Sequence, residues 1–332
     1  MGTIISKVSA FFPNKVLSNE QLASEFNRWE PEKIENKLGI RERHIAADNE
    51  TAGDLAFGAA EKVLVDYSKE KVDMLILCTQ SPDHFLPTTA CILQDRLGLK
   101  TDVGAFDYNL GCSGFIYGLA MAKSFIHTGI ASTVLLVTAE TYSKHIYPKD
   151  LANRTIFGDA ATATIIEKSN NEHIFEFILG TDGKGKNNLI VPNGGLRNAY
   201  NTEAVEKTNA AGDNYTDNNL FMSGPEIFNF TIEAVPIAIE QCLNKNKLTL
   251  EEIDYVIFHQ ANKFMIEYLR KKIHIPKDKF YSNMLHTGNT VSNTIPVAYA
   301  DALENGMIVK GNKVLLCGFG VGYSWGAVVI EV

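Results

Sequence analysis

The chain has 332 residues, 45% of them hydrophobic and 21% charged, with a mean hydropathy near zero, so it is long enough for one large or two packed cores. A net charge of −8 argues against a general nucleic-acid binder. Five widely spaced cysteines with no C-x-x-C pair suggest neither a disulfide framework nor a zinc site and fit a reducing cytoplasm, and no apolar run reaches membrane-spanning length.

Taken in chain order, the opening MGTIISKVSAFF reads as a first strand and lacks the apolar core of a signal peptide. VDMLILCTQ reads as a buried strand and TTACILQDRLGL as a helix. A turn at Asn109-Leu-Gly-Cys112 then leads into a helical run that stops at Gly129, and STVLLVTAE follows as another strand. The segment 180–225 is rich in Asn, Gly and Thr, has no periodicity, and is expected to be an insertion or lid. The strand EIDYVIF ends at His259 and is followed by the amphipathic KFMIEYLRKKI. His286-Thr-Gly-Asn289 leads into a run ending at Gly306. KVLLC then precedes the glycine-rich GFGVGYSWG and a last strand, GAVVIEV. Strands alternating with helices predict α/β layers.

The order repeats. Lys71–Cys78 resembles Glu252–His259, so that Cys78 lies opposite His259, and Cys112 to Gly129 spans 17 residues, as does Asn289 to Gly306. Two similar halves are expected, 1–172 and 173–332, with the insertion in the second. Cys112 and Asn289 then occupy equivalent strand-to-helix turns. His259 sits at the carboxyl end of a strand, where open α/β sheets bind ligands, so the three can meet in one cleft.

A thiol at a helix N-terminus feels free N–H groups and the positive end of the macrodipole, which favour the nucleophilic thiolate. Glycines at 111 and 114 leave room for a substrate. Alone, His259 reads as a satisfied structural histidine and Asn289 as a turn or cap; the repeat promotes both, and His286 and Asn293 rank below them. The glycines of GFGVGYSWG lack the helix that a dinucleotide fingerprint needs and suit a turn presenting N–H groups to a carbonyl, an oxyanion site.

GCSGF, HQAN, HTGNT and GFGxGxSWG, in this order and with LGIRERH and IFGD, resemble the ketoacyl-acyl carrier protein synthase III family of thiolase-fold condensing enzymes, over essentially the whole chain. The resemblance implies a cytoplasmic homodimer with a duplicated five-layer αβαβα fold and no permanently bound cofactor or metal. Its implied partners are coenzyme A and acyl carrier protein thioesters, with no nucleic acid or membrane. It implies Cys112 as acylated nucleophile, His259 and Asn289 as donors to a malonyl-derived enolate, the N–H groups of Cys112 and Val321 as the oxyanion site, and Phe319 as a shield beside the sulfur. Leu86 matches a residue, often aromatic in the family, that reaches into the partner subunit's acyl pocket. Lys33 and Lys37 replace a tryptophan and an arginine that grip coenzyme A, so an altered or absent nucleotide grip is expected. Phe264 replaces a carrier-contacting arginine, leaving Lys263 and Arg270 as candidate carrier contacts. These departures point to a specialised condensing enzyme with an acyl group other than acetyl. An enzyme of the same fold forming an ester or amide, or condensing without decarboxylation, is the alternative. A cysteine hydrolase and a non-catalytic partner are the more distant readings.

Overall fold

The computed structural model describes residues 2–209 and 212–332. One five-stranded sheet contains β1 (Gly2–Phe11), β2 (Met74–Cys78), β3 (Gly104–Tyr108), β4 (Thr133–Glu140) and β5 (Ala160–Ser169) in the order β1-β5-β4-β2-β3. The other contains β6 (Ile178–Thr181), β7 (Tyr255–Phe258), β8 (Phe280–Tyr281), β9 (Lys313–Gly320) and β10 (Ser324–Glu331) in the order β6-β10-β9-β7-β8. Each position of one order matches its counterpart in the other. In both sheets the first two pairings are antiparallel and the last two parallel.

The side chains say how the layers stack. Successive residues of a strand face opposite sides, and here both sides are apolar, which is why β4 shows no polar alternation. Leu75, Leu77, Leu135 and Val137 pack outward under α1 (Ala52–Leu64) and α2 (Thr89–Arg96). Ile76, Val134 and Leu136 face inward and share one cluster with Ile257, Val314 and Leu316 of the second sheet. Between the sheets lie α3 (Gly114–His127) and α6 (Thr294–Glu304), each touching both. On the far side, Val256, Leu315 and Val329 pack against α4 (Gly224–Asn246) and α5 (Lys263–Lys272). The result is the five-layer αβαβα arrangement. At roughly 1.5–3 kcal/mol for each fully buried Val, Leu or Ile, the middle layer joins the sheets too firmly for a hinge.

The two inner helices end alike. Gly129 and Gly306 both adopt positive φ (+76° and +66°), and the residue after each donates its N–H to a carbonyl five positions back, Ile130 to Phe125 and Met307 to Ala302. This is the left-handed helix stop that glycine makes cheaply. Within 180–225, Leu189–Ile190 pairs with Phe221–Met222 and Lys207–Thr208 with Asn214–Tyr215. Arg28 holds Asp213 across an ion pair of 2.8 Å.

Candidate active site

Cys112 lies between β3 and α3 and is 5% exposed. The end of β9 lies flat against it. A Cβ built at Gly318 would come within 2.8 Å of the Cys112 carbonyl oxygen, and one at Gly320 within 2.9 Å of its Sγ. The alternating glycines of GFG are therefore what allow this strand to approach the thiol. A buried contact of 2.7 Å between the Ser113 and Ser324 hydroxyls ties the two turns together. The backbone N–H groups of Cys112 and Val321 lower the proton affinity of the sulfur.

His259 follows β7 and is 3% exposed. Its ring meets Phe319 edge-on at 5.5 Å, and Phe319 stands next to the Gly320 that abuts the thiol. Asn289, 4% exposed, is fixed at both ends. Its backbone N–H donates to the Ile156 carbonyl at 2.9 Å and its own carbonyl accepts from the Gly158 N–H at 3.0 Å. A Cβ at Gly158 would strike the Thr287 carbonyl at 2.5 Å, and one at Gly288 the Ile156 carbonyl at 2.8 Å, so IFGD and HTGN interlock through their glycines. The Asn289 Oδ1 accepts from the Val291 N–H at 2.9 Å, which leaves Nδ2 3.5 Å from His259 Nε2. The LGIRERH motif supports this from below: Arg43, fully buried, donates to the Thr155 carbonyl and to Asn19 Oδ1, both at 2.8 Å.

The electrostatics correct one expectation. The Cys112 thiol is pushed up to about 12, by burial first and then by the nearby Glu140 carboxyl, and its two N–H contacts offset this only in part. The helix terminus does not make the resting thiol acidic, because desolvation outweighs it. His259 is neutral, lowered to about 3 by burial alone. Glu140, at the end of β4, is fully buried and accepts from the Gln80 N–H and the hydroxyls of Ser81 and Ser292. Burial raises it from 4.5 to about 8.

A carboxyl raised on folding stabilises the fold below its unfolded value, and that stability is lost as pH rises toward its folded value. The Glu140→Gln variant should therefore lose less melting temperature than the wild type between about pH 4.5 and 8. It should also alkylate faster at Cys112 at pH 8. Parallel melting curves and equal alkylation rates would show that Glu140 carries no such charge.

The chain is similar to known proteins along nearly its whole length. Residues 106–183 match the family model described as 3-Oxoacyl-[acyl-carrier-protein (ACP)] synthase III, and residues 243–332 match the model of its C-terminal part. The Beta-ketoacyl-[acyl-carrier-protein] synthase III of Caldanaerobacter subterraneus subsp. tengcongensis is 38% identical over 328 residues, covering 97% of this chain and 95% of that protein. The chain belongs to the beta-ketoacyl-[acyl-carrier-protein] synthase III family. A crystal structure of a 3-oxoacyl-(acyl-carrier-protein) synthase III superposes with a TM-score of 0.98 at 45% identity, over the whole of both chains. The 3-oxoacyl-(acyl carrier protein) synthase of Burkholderia xenovorans LB400 superposes with a TM-score of 0.92 at 36% identity, over 100% of this chain and 94% of that one. The fold is thus the thiolase fold, and the protein is a condensing, acyl-transferring enzyme. Synthase membership sets aside the ester- or amide-forming alternative.

Two cavities flank the site of this synthase III. One, of about 960 Å³, is lined by Lys33 and Lys37 of the helix Pro31–Leu38 and extends inward to Ile156, whose carbonyl holds Asn289. Trp29 lines it too, with the Arg28 guanidinium 5.9 Å from its ring, so an aromatic wall is present in the bend just before the helix that carries Lys33. Attention to the two lysine positions alone missed this indole. The other cavity, of about 840 Å³, is lined by Val321, Asn109, Gln80, Tyr142 and Phe85. Leu86 does not enter this subunit's own site. It is 87% exposed, and its neighbour Phe85 is 78% exposed.

The remaining candidates separate. Lys263 packs over Gly39 near the first cavity. Arg270 is taken up internally, paired with Glu267 at 3.0 Å and donating to the Ile275 carbonyl, so it is not offered to a partner. Phe264, 61% exposed, stacks on Phe228 and gives this face an aromatic surface. His286 pairs with Glu42 at the surface, and Asn293 is buried in bonds to the Ala160 and Thr290 carbonyls. Cys317 is fully buried in the sheet and has no place in the site. Among the described residues no cluster of metal ligands occurs.

Proposed function

We propose that Cys112, His259 and Asn289 carry out a two-stage decarboxylative condensation. In the first stage the Cys112 sulfur attacks the carbonyl carbon of an acyl-coenzyme A. The oxyanion is held by the N–H groups of Cys112 and Val321, the bond to the coenzyme sulfur breaks, and coenzyme A leaves with the thiol proton. In the second stage a malonyl thioester on acyl carrier protein loses carbon dioxide. The electron pair passes to the enolate oxygen, which accepts from His259 Nε2–H and Asn289 Nδ2–H. The enolate carbon then attacks the acyl-enzyme carbonyl, the bond to the Cys112 sulfur breaks, and the thiolate takes a proton from solvent to restore the resting thiol, leaving a 3-oxoacyl thioester on the carrier. This is the unit reaction of fatty acid biosynthesis.

The observation that carries this reading is the β9 end, whose Phe319 touches His259 while its Gly320 touches the Cys112 sulfur. The burial of Phe319, 1% exposed, supports a role for it in keeping water from the sulfur.

The Trp29 wall with Lys33 and Lys37 supports the first cavity as the coenzyme entry, the lysines meeting phosphate as point charges. Lys263 and Phe264 support a carrier docking face that mixes one cation with an aromatic contact. The exposed Phe85 and Leu86 beside the second cavity support a homodimer in which the partner subunit closes the acyl pocket. Light scattering reporting a monomer at micromolar concentration would refute it. Unpaired cysteines throughout the described residues favour a cytoplasmic enzyme, and none of the described helices is long and apolar enough to cross a membrane. No permanent cofactor enters these steps.

Carbon dioxide release from carboxyl-labelled malonyl carrier protein tests the reaction. Release that requires prior acylation, one carbon dioxide per 3-oxoacyl product, is the expected result. Acyl transfer to an alcohol, an amine or water with no malonyl requirement would overturn it.

A further inference from the structure

The role given above to His259 requires a proton on Nε2, and a neutral imidazole carries only one. What decides its position is the partner of Nδ1. That partner is the Thr294 hydroxyl, 2.7 Å away at the start of α6, with Thr294 itself only 2% exposed.

A hydroxyl can donate or accept here, so two arrangements compete. In one, Nδ1–H donates to Thr294, whose own proton goes to the Val291 carbonyl 3.1 Å away. Nε2 would then present a lone pair to the enolate oxygen and repel it. In the other, the Thr294 hydroxyl donates to a bare Nδ1, and Nε2 keeps the proton. Hydroxyl donors to oxygen have a modal length of about 2.7–2.8 Å, whereas N–H donors to oxygen have one of about 2.9–3.0 Å and reach about 2.7 Å only at the short end of their range. The shorter of the two Thr294 contacts is the one to His259, which favours the second arrangement.

The partner donor is fixed from the same turn. Val291 adopts φ +59°, an outlier for a β-branched residue. In that conformation its N–H holds Asn289 Oδ1, so the amide presents Nδ2 toward His259 Nε2 rather than its oxygen. One left-handed residue and one hydroxyl, both within the 3₁₀ turn and the first helical residue after Asn289, thus set which atoms of both side chains face the substrate.

We infer that Thr294 is a positioning residue that donates its hydroxyl proton to His259 Nδ1, locking the imidazole in the Nε2–H tautomer needed for the condensation half-reaction. This rests on the assignment of His259 as an enolate donor. Removing the hydroxyl leaves the tautomer unselected, so decarboxylation and condensation suffer while acylation of Cys112, which uses the two backbone N–H groups, does not.

The test combines the Thr294→Val and Thr294→Ser variants with His259→Ala, following acylation by mass spectrometry and condensation by carbon dioxide release. Thr294→Val is isosteric and should slow condensation about 10- to 100-fold, with acylation changed less than about 3-fold. This is less than the roughly 10²–10³-fold of losing a preorganised donor outright, because part of the imidazole still carries its proton on Nε2. Thr294→Ser should restore the rate. Nitrogen-15 spectra of histidine-labelled wild type, with the His259 signal assigned by its loss in His259→Ala, should show the proton on Nε2. Condensation unaffected in Thr294→Val while His259→Ala is inactive would overturn the inference, as would a proton found on Nδ1 or a serine variant as slow as the valine one. Full condensation in His259→Ala would instead sink the role of His259 itself.

Discussion

The Cys112→Ala variant should form no covalent acyl adduct with any acyl-coenzyme A and should lose at least about 10³-fold in condensation, because the proposed covalent intermediate would have no other nucleophile. The other thiols do not substitute. Cys78, Cys242 and Cys317 are fully buried, and each is raised by burial, Cys242 to about 11 and the other two further. Cys91 is exposed, yet it lies on α2, on the outer face of the first sheet and away from the β9 turn. The fold should survive the change, since Cys112 contributes one small side chain at a turn held by Ser113, Ser324 and the backbone. Intact-protein mass spectrometry checks this prediction. An adduct persisting in the variant would move the nucleophile elsewhere.

The second large effect separates the two half-reactions. His259→Ala and Asn289→Ala each remove one of two donors aimed at the enolate oxygen, and a donor of this kind is worth about 10²–10³-fold in rate. Both variants should still acquire the acyl group on Cys112 while carbon dioxide release falls by that factor. The double variant should fall less than the product of the two, because the donors act on one oxygen from 3.5 Å apart. His259 is neutral throughout the physiological range, so its contribution should show no titration between pH 6 and 9. A wild-type condensation rate tracking an imidazole pKa near neutrality would mean that His259 works as a base.

The sequence carried the architecture because its periodicities are simple. In β2 and β4 apolar residues run on both faces, and the glycines at 129 and 306 stop two helices at matched positions, so the duplication could be read from spacing. The candidate nucleophile stood out for a local reason, the glycines at 111 and 114 on either side of Cys112. The room they leave is taken by Val321 and Gln80 and by the Cys78 sulfur rather than left open for a substrate. His259 and Asn289 needed the repeat, since neither residue type is unusual at a strand end or a turn.

The proton affinities were not legible. The helix terminus at Cys112 is local and visible, whereas the buried Glu140 that opposes it comes from another strand. Trp29 was passed over because it lies in the bend before the helix Pro31–Leu38, and only the path of the chain there brings it to the same cavity wall as Lys33. Arg270 looked like one of a basic run, and only the fold shows it tied to Glu267 and Ile275. Thr294 left no signal at all, because a hydroxyl's partner depends on which strand the helix start happens to face.

In the proposed reaction one cleft first stores an acyl group on Cys112 and then spends it only on a decarboxylated malonyl unit. The most direct measurement is a rapid-mixing chase. The enzyme is acylated, free donor is removed, malonyl carrier protein is added, and the acyl-Cys112 mass is followed against carbon dioxide release. The adduct should be stable alone and both signals should move together, one carbon dioxide for each acyl group lost, with a 3-oxoacyl carrier as product. Loss of the adduct without malonyl, or carbon dioxide released while the adduct persists, would contradict the proposed reaction.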